Sequence, residues 1–288
     1  MSDVVWTPSA EVLERSNVVR LMRRQGIDDY RELVRRSVDD REWFWPAAIE
    51  DMGLEFFDPW AQVVDLSRGP EWATWFTGGT LNVAWNCVHR WAAGSLAGAE
   101  AAVGLGEDGS RRSLTFAELS HAVVKLAEAL VRLGVEPGDR VAIYLPMSPE
   151  VAITTTVSRR RGREVRMLEI LEEARRDAPT LDHVVVWPWD DLTADCPGLT
   201  EVLPVGSEHP YLLTYTSGTT GRPKGVVHVH GGFLVSIARE ACYQADARPG
   251  DVIHFATDGE RKQAPISVPP DTLMIGQRPP PTRSWSHM

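Results

Sequence analysis

The sequence predicts an α/β protein, and three stretches carry that prediction. A helix–turn–strand unit runs from Thr115 to Leu145, a strand follows at 184–187, and an apolar run at 211–215 leads into a Gly/Ser/Thr-rich loop and a second strand. Helical patterns that alternate with short buried-type strands are typical of this class. At 288 residues, 43% hydrophobic and 24% charged, the chain has material for one large domain or two ordinary ones.

The first 95 residues are predicted to be a helical, Trp-rich region. Residues 9–25 have a helical pattern, with Ser9 as a cap and Gly26 as the end, and Asp28 or Asp29 can cap a second helix. From 42 to 75 the prolines predict short pieces. Eight of the eleven tryptophans precede residue 92. We interpret these indoles as packing groups, which fill gaps between short elements, rather than as ligand contacts.

In the middle of the chain, Thr115 and Glu118 form a T-x-x-E capping box at the start of a helix that Gly134 ends. A Pro-Gly-Asp turn then leads into a buried-type strand at 141–145. Residues 95–110 are small and Gly-rich and predict a surface loop. The segments 151–158 and 164–176 predict helices, and Val184–Trp187 predicts a strand.

The stretch at 216–225 reads T-S-G-T-T-G-R-P-K-G. Glycines allow backbone N–H groups to approach an anion, and the hydroxyls and the lysine add further donors and a positive charge. Composition alone therefore leaves two readings open, a phosphate-binding loop and an ordinary hairpin loop. The P-loop of nucleoside triphosphatases is disfavoured because Pro223 precedes Lys224 and Gly225 follows it.

Charge and cysteine content narrow the classes of function. A net charge of −10 disfavours a general nucleic-acid binder. Three widely spaced cysteines indicate a reducing compartment, and we see neither a signal peptide nor an apolar run long enough for a membrane span. We therefore expect a cytoplasmic protein without nucleic-acid or membrane partners. His228 and His230 lie at i and i+2 on a predicted strand, but no third ligand is near in sequence, so no metal site is predicted.

The order of residues at 216–225 resembles the phosphate-binding signature of the adenylate-forming (AMP-binding) superfamily. The segment W-F-T-G-G-T-L-N-V-A-W-N-C at 75–87 resembles the acetyl- and propionyl-CoA synthetase branch, although His89 stands where an aspartate is usual there. L-T-F-A-E-L at 114–119 and L-G-V-E-P-G-D-R-V-A-I-Y-L-P at 133–146 resemble the first conserved stretch of the superfamily. The resemblance implies the N-terminal portion of an adenylate-forming fold.

The resemblance also implies a reaction: ATP and Mg²⁺ convert a carboxylate into an acyl-adenylate, and the acyl group then passes to CoA. Lys224 would offset phosphate charge as pyrophosphate leaves. Arg160 and Arg163 resemble a basic pair that contacts the CoA nucleotide phosphate, and a solvated arginine run is the alternative. The residues that would bind the ATP phosphates are Thr216, Ser217, Gly218, Thr219, Thr220, Gly221 and Lys224.

The sequence also departs from the family pattern. Strand–helix units expected after the segment at 151–158 are missing, which indicates an internal deletion or a mis-spliced gene near 158–160, with a natural short loop as the alternative. Residues 96–258 then form a partial AMP-binding α/β domain. Residues 259–288 contain six prolines and are predicted to be a disordered tail.

Two hypotheses about function follow. The first is a truncated ATP-dependent acyl-CoA synthetase for a short-chain acid such as acetate. The second is a catalytically inactive fragment that binds nucleotide weakly or acts as an interaction module, because the family's adenine, ribose and C-terminal lysine motifs do not occur in this sequence.

Overall fold

The computed structural model describes residues 7–105, 110–143, 151–160, 163–176, 181, 183–216, 224–248, 250–255 and 272–275. These residues form two compact units. The first unit contains the described residues up to Asn86 and those from Leu203 onward, and the second contains the described residues from Cys87 to Val202. The segment after 203 is therefore in the same compact unit as the N-terminal region. The linear domain boundaries stay a prediction.

The elements follow in chain order. The α-helices are α1 (Ala10–Arg15), α2 (Asn17–Arg24), α3 (Tyr30–Asp39), α4 (Arg41–Met52), α5 (Arg90–Ala92), α6 (Phe116–Arg132), α7 (Met167–Arg175), α8 (Asp190–Thr193) and α9 (His230–Arg239). The strands are β1 (Gln62–Asp65), β2 (Thr74–Thr77), β3 (Thr80–Leu81), β4 (Glu100–Leu105), β5 (Arg111–Thr115), β6 (Val141–Ile143), β7 (Val151–Thr155), β8 (Ser158–Arg160), β9 (Arg163–Val165), β10 (His183–Trp187), β11 (Val205–Gly206), β12 (Pro210–Thr216), β13 (Lys224–Val229), β14 (Val252–Phe255) and β15 (Thr272–Ile275).

The N-terminal helices of the first unit begin at side-chain caps. Ser9 accepts a hydrogen bond from the Val12 amide and Asp29 accepts one from the Arg31 amide, as predicted. The single helix expected over 9–25 is broken at Ser16, whose backbone is extended. The expectation of short pieces after residue 42 is wrong for α4, which continues through Pro46. Burial of Ala47, Ala48 and Ile49, which follow the proline, offsets the hydrogen bond that Pro46 cannot donate.

Aromatic side chains fill the core of this unit. Phe76 is 1% exposed, and the rings of Phe56 and Trp60 lie 5.7 and 5.4 Å from its ring centroid in edge-on arrangements. Trp45 and Trp75 meet edge-on at 5.7 Å in the same cluster. Such contacts add to the free energy of simple burial. The packing interpretation is confirmed for these tryptophans, whereas Trp72 is 60% exposed.

A buried carboxylate ties three parts of the first unit together. The Asp51 side chain in α4 accepts hydrogen bonds from the Arg20 guanidinium in α2 at 3.0 and 2.9 Å. It also accepts one from the Tyr243 hydroxyl at 2.9 Å, in the π-helical turn Glu240–Gln244 that follows α9. Arg24 lies 3.4 Å from the same carboxylate. Asp51 thus connects α2 to α4 by an ion pair and connects α4 to the turn after α9 by a hydrogen bond.

In the second unit, α6 begins at the predicted capping box. The Thr115 hydroxyl accepts from the Glu118 amide at 3.2 Å, and the Glu118 carboxylate accepts from the Thr115 amide at 2.8 Å. The predicted loop at 95–110 is wrong for β4, which pairs antiparallel with β5. β5 offers β4 a full ladder of backbone partners, which outweighs the weak strand propensity of its small residues.

A parallel sheet crosses the predicted junction near 158–160. Its order is β10–β7–β6, with β7 in the centre. The helix expected at 151–158 is therefore wrong, because its Val, Ile and Thr residues are β-branched and find strand partners on both sides. At the junction itself β8 and β9 form an antiparallel hairpin. The helix expected from 164 begins later, as α7.

Of the predicted tail, the structure describes only β15, which pairs in parallel with β14 and so differs from the expectation of no regular structure. The rest of the tail lies outside the described residues. Within the part of the chain that is described, no helix combines the length and apolar character that crossing a bilayer requires.

Candidate functional site

The candidate phosphate loop connects two paired strands. β12 and β13 are antiparallel, and Leu213 pairs with Val227 in a register that continues to Thr216 opposite Lys224. The prediction that this loop joins two strands is confirmed. The strands form because most of their residues are apolar, aromatic or β-branched, whereas Gly218, Gly221 and Pro223 lie in the connection between them.

Thr216 and Lys224 are the last paired residues of this hairpin. They hold the two ends of the connection at the spacing of a β-ladder, about 5 Å between Cα atoms. The remaining predicted phosphate ligands lie outside the described residues, namely Ser217, Gly218, Thr219, Thr220 and Gly221. The structure thus places the two flanks of the candidate site side by side. The sequence between those flanks carries two glycines, Gly218 and Gly221, a residue type that permits a close backbone turn.

The opposite end of the hairpin, which we call the hairpin base, consists of Ser207–His209 before β12 and His230–Gly231 after β13. The His230 amide donates to the His209 carbonyl at 3.0 Å, and the Gly231 amide donates to the Ser207 carbonyl at 2.8 Å. A Cβ at Gly231 would lie 2.7 Å from the Ser207 Cβ. Only glycine allows the two arms to approach this closely.

The hairpin base rests on the turn between β2 and β3. The Ser207 amide donates to the Gly79 carbonyl at 2.9 Å, and its hydroxyl donates to the Phe76 carbonyl at 2.6 Å. Next to it, the Glu208 carboxylate accepts from the Trp75 amide at 2.6 Å. This turn belongs to the W-F-T-G-G segment. No pattern in the sequence predicted that Ser207 or Glu208 would contact this turn, since both lie in the acidic connection at 188–209.

Aromatic and histidine rings surround the hairpin base. The His230 ring lies 5.0 Å from that of Tyr211 and 6.1 Å from that of His209. Burial lowers the pKa of His230, and the neighbouring His209 lowers it further. The expectation that His228 and His230 share one face of a strand is wrong, because His230 is the first residue of α9. Among the described residues, no group of three His, Cys, Asp or Glu side chains is placed to hold a metal ion.

The candidate CoA contacts lie in the other compact unit. Arg160 and Arg163 are backbone partners at the end of the β8–β9 hairpin. The two residues between them are outside the described part of the chain. The strand register therefore places two of the four arginines in the run at 159–163 directly opposite each other.

Two family models match the chain along adjoining segments. Residues 30–87 match a model described as the N-terminus of acetyl-coenzyme A synthetase. Residues 88–156 and 157–258 match a model described as AMP-binding enzyme. The two parts of this second match meet between 156 and 157, beside the junction that the sequence predicted near 158–160.

Individual proteins are similar over the same region. An acetyl-coenzyme A synthetase of Ralstonia nicotianae is 30% identical over 88% of this chain and 46% of its own length. Acetyl-coenzyme A synthetase 2 of Pseudomonas aeruginosa is 33% identical over 80% of this chain and 44% of its own. The solved acetoacetyl-CoA synthetase from Streptomyces lividans superposes with a TM-score of 0.78 at 28% identity, over 88% of this chain and 48% of that one. The chain thus spans a little under half the length of the relatives it matches.

Proposed function

This chain belongs to the AMP-binding enzyme family, and from that premise we propose that its β12–β13 hairpin binds the phosphates of ATP in an acyl-CoA synthetase reaction. In that reaction a short-chain carboxylate such as acetate attacks the α-phosphorus of ATP. The bond from that phosphorus to the pyrophosphate oxygen breaks, and pyrophosphate leaves with the electron pair. The thiol of CoA then attacks the acyl carbon, AMP leaves, and the thiol proton passes to solvent.

One observation carries the proposal: the register that pairs Thr216 with Lys224 closes a seven-residue connection, 217–223, in which five residues are glycine, serine or threonine and the last two are Arg222 and Pro223. A closed, Gly-rich connection presents several backbone N–H groups to one anion. The proposal assigns the ATP phosphates to that connection together with Thr216 and Lys224. Lys224 would offset charge on the β- and γ-phosphates as pyrophosphate departs.

Mg²⁺ enters this proposal with the nucleotide. The described residues contain no cluster of three carboxylate, histidine or cysteine groups that fits a metal ion. Magnesium is commonly held by substrate phosphates and one or two protein oxygens, and it keeps several waters. The ion would screen the negative charge of the triphosphate, while the hairpin would orient the phosphates.

Exchange between ATP and labelled pyrophosphate tests this proposal, because it reports adenylate formation before CoA is used. We expect exchange that depends on acetate, propionate or a longer acid, and a loss of at least tenfold in Lys224→Ala, since a hydrogen bond to a charged group contributes about 1.5–3 kcal/mol. Lys125→Ala, in α6, is the matched control. Exchange that survives in Lys224→Ala would contradict the assigned role.

A chain that binds nucleotide without turnover is the second candidate, and it is favoured by the internal junction at which the two parts of the AMP-binding match meet, between 156 and 157. Equilibrium binding of ATP and AMP separates the two. ATP binding that Lys224→Ala weakens, without any pyrophosphate exchange, would support binding alone. Acid-dependent exchange above background would exclude it.

For CoA, we assign the nucleotide phosphate to Arg160 and Arg163. Like charges directly opposite each other in a ladder destabilise it, so an anion at this turn would stabilise the β8–β9 hairpin. Arg160→Gln/Arg163→Gln should raise KM for CoA severalfold and leave pyrophosphate exchange unchanged. Arg111→Gln, in β5, serves as the control.

A cytoplasmic location stays a prediction from the cysteine content.

A further inference from the structure

Three hydrogen bonds converge on Ser207, which is 2% exposed. Its amide and hydroxyl donate to the Gly79 and Phe76 carbonyls, and its own carbonyl accepts from the Gly231 amide. The first two bonds attach the arm that enters the hairpin to the β2–β3 turn. The third attaches the arm that leaves it. One residue therefore connects both arms of the hairpin base to the turn beneath them.

The turn beneath Ser207 is strained. Phe76 has a φ of 55°, a value that a bulky side chain rarely adopts, and Gly78 has a φ of 84°. The Phe76 carbonyl accepts from the Gly79 amide at 3.0 Å as well as from the Ser207 hydroxyl. A strained residue persists only where the surrounding structure holds it in place. Burial of the Phe76 ring against Phe56 and Trp60 provides that support from one side.

The other support of the described hairpin comes from α9, where the Phe233 ring lies 5.2 Å from the rings of both Tyr211 and His228. β12 and β13 form a sheet of only two strands among the described residues, and an isolated two-stranded hairpin is marginally stable in water. Leu213 and Val227, a cross-strand pair, are 44% and 58% exposed. The position of Thr216 and Lys224 at the far end of the ladder therefore depends on how firmly the hairpin base is held.

We propose that Ser207 is a positioning residue for phosphate binding, which fixes both arms of the hairpin base on the Phe76–Gly79 turn and so holds Thr216 and Lys224, the last pair at the other end of the hairpin, in place for a triphosphate. This inference rests on the proposed function of the hairpin. It also gives the W-F-T-G-G segment a role: that segment contacts no nucleotide in this proposal, and it supports the element that does.

Ser207→Ala in the full chain removes only the bond to the Phe76 carbonyl. A neutral hydrogen bond contributes about 1 kcal/mol, so we expect the affinity for ATP and for pyrophosphate to fall about fivefold. The affinity for AMP, which has no β- or γ-phosphate, should change less than twofold. A merely structural loss would lower the folded fraction and weaken all three ligands alike.

Two more variants sharpen the test. Gly231→Ala places a Cβ against Ser207 and should weaken ATP binding more than Ser207→Ala does, because it separates the two arms. Ser37→Ala is the matched control, since its hydroxyl also donates to a main-chain carbonyl, that of Val34 at 2.8 Å, but within α3. It should leave every ligand affinity unchanged.

Hydrogen exchange without nucleotide provides an independent measurement. Amides of β12 and β13 should exchange severalfold faster in Ser207→Ala than in wild type, while those of α6 should not change. Unchanged hairpin exchange, or an unchanged ratio of ATP to AMP affinity, would overturn the inference. If wild type binds no ATP, the proposed function fails and the phosphate role fails with it, and faster exchange alone would then identify Ser207 as structural.

Discussion

Arg20 and Asp51 form a bidentate ion pair in which the guanidinium is 40% exposed and the carboxylate 1% exposed. This difference in exposure determines how much the ion pair contributes to the free energy of unfolding. The carboxylate has lost its water, so its free energy depends on its partners, whereas solvent screens the arginine. Removing the charge of Asp51 would leave a buried amide beside two arginines.

Asp51→Asn should therefore lower the free energy of unfolding by about 3 kcal/mol, the lower end for a broken buried pair because Arg20 is partly exposed. Urea unfolding at pH 7 measures the change. Asp39→Asn is the control, since Asp39 pairs with Arg35 at 3.8 Å on the surface, and its effect should stay below about 0.5 kcal/mol. Equal effects in the two variants would contradict the assigned role.

Tyr243 makes stability depend on alkaline pH. Burial raises its pKa well above the usual range, and the hydrogen bond to Asp51 raises it further. The unfolded chain loses this proton near pH 10 and the folded chain does not, so stability falls as the pH rises past about 10. Tyr243→Phe should cost about 1 kcal/mol at pH 7, with a difference from wild type that shrinks above pH 10.

Urea midpoints at pH 7, 9 and 10.5 would test this, with Tyr30→Phe as the control because Tyr30 is 60% exposed. A difference between wild type and Tyr243→Phe that stays constant with pH would show that the hydroxyl ionises normally.

His230 makes the stability of the fold decrease as the pH is lowered, whereas Tyr243 makes it decrease as the pH is raised. Its pKa is lowered by burial and by His209, so the unfolded chain binds a proton near pH 6.5 that the folded chain does not bind until a lower pH. Its contribution is complete above about pH 6.5 and is lost as the pH falls. The rings that face it are those of His209 and Tyr211.

His230→Asn should accordingly flatten the loss of Tm between pH 7.5 and 5.5. Burial also lowers the pKa of His89, so the measurement is the difference between variant and wild type rather than the slope of either. Identical slopes in both proteins would refute the prediction, and His121→Asn provides an exposed comparison.

The turn between β2 and β3 leaves little room for a side chain at Gly79. A Cβ there would lie 3.1 Å from the Phe76 carbonyl oxygen and 3.2 Å from both the Phe56 ring and the Trp60 Cβ. Gly79→Ala should lower the free energy of unfolding by about 1–3 kcal/mol through overpacking. Gly206→Ala, where a Cβ meets nothing within 4 Å, should change it by less than about 0.5 kcal/mol. A tolerated Gly79→Ala would mean that the turn can shift.

Local signals predicted the elements whose stability is local. Thr115 with Glu118 identified the start of α6, and the apolar runs on either side of 216–225 identified the hairpin. The sequence-based predictions were wrong where partners distant in the sequence determine the secondary structure. β7 is a strand because β6 and β10 flank it, and α4 continues through Pro46 because Ala47, Ala48 and Ile49 are buried beyond it.

The candidate site likewise has one part with a local sequence signal and one part without it. Its proposed phosphate-binding connection was predicted from the residue order, since glycines, hydroxyl residues and a lysine form a local signature. Its support was not recognisable, because Ser207 acts through carbonyls of Phe76 and Gly79, more than a hundred residues earlier in the chain. Hydrogen bonds to main-chain carbonyls require no particular residue type in the partner, so no sequence pattern marks them.

The central position of β7 has a consequence for how the chain can be divided. Its ladder with β10 joins the stretch before the β8–β9 hairpin to the stretch after it, through five register pairs from Val151–His183 to Thr155–Trp187. A single cut at the tip of β8–β9 would leave both pieces hydrogen-bonded through this ladder. Two separately expressed fragments, ending and beginning at that tip, are therefore a natural design for reassembly from parts.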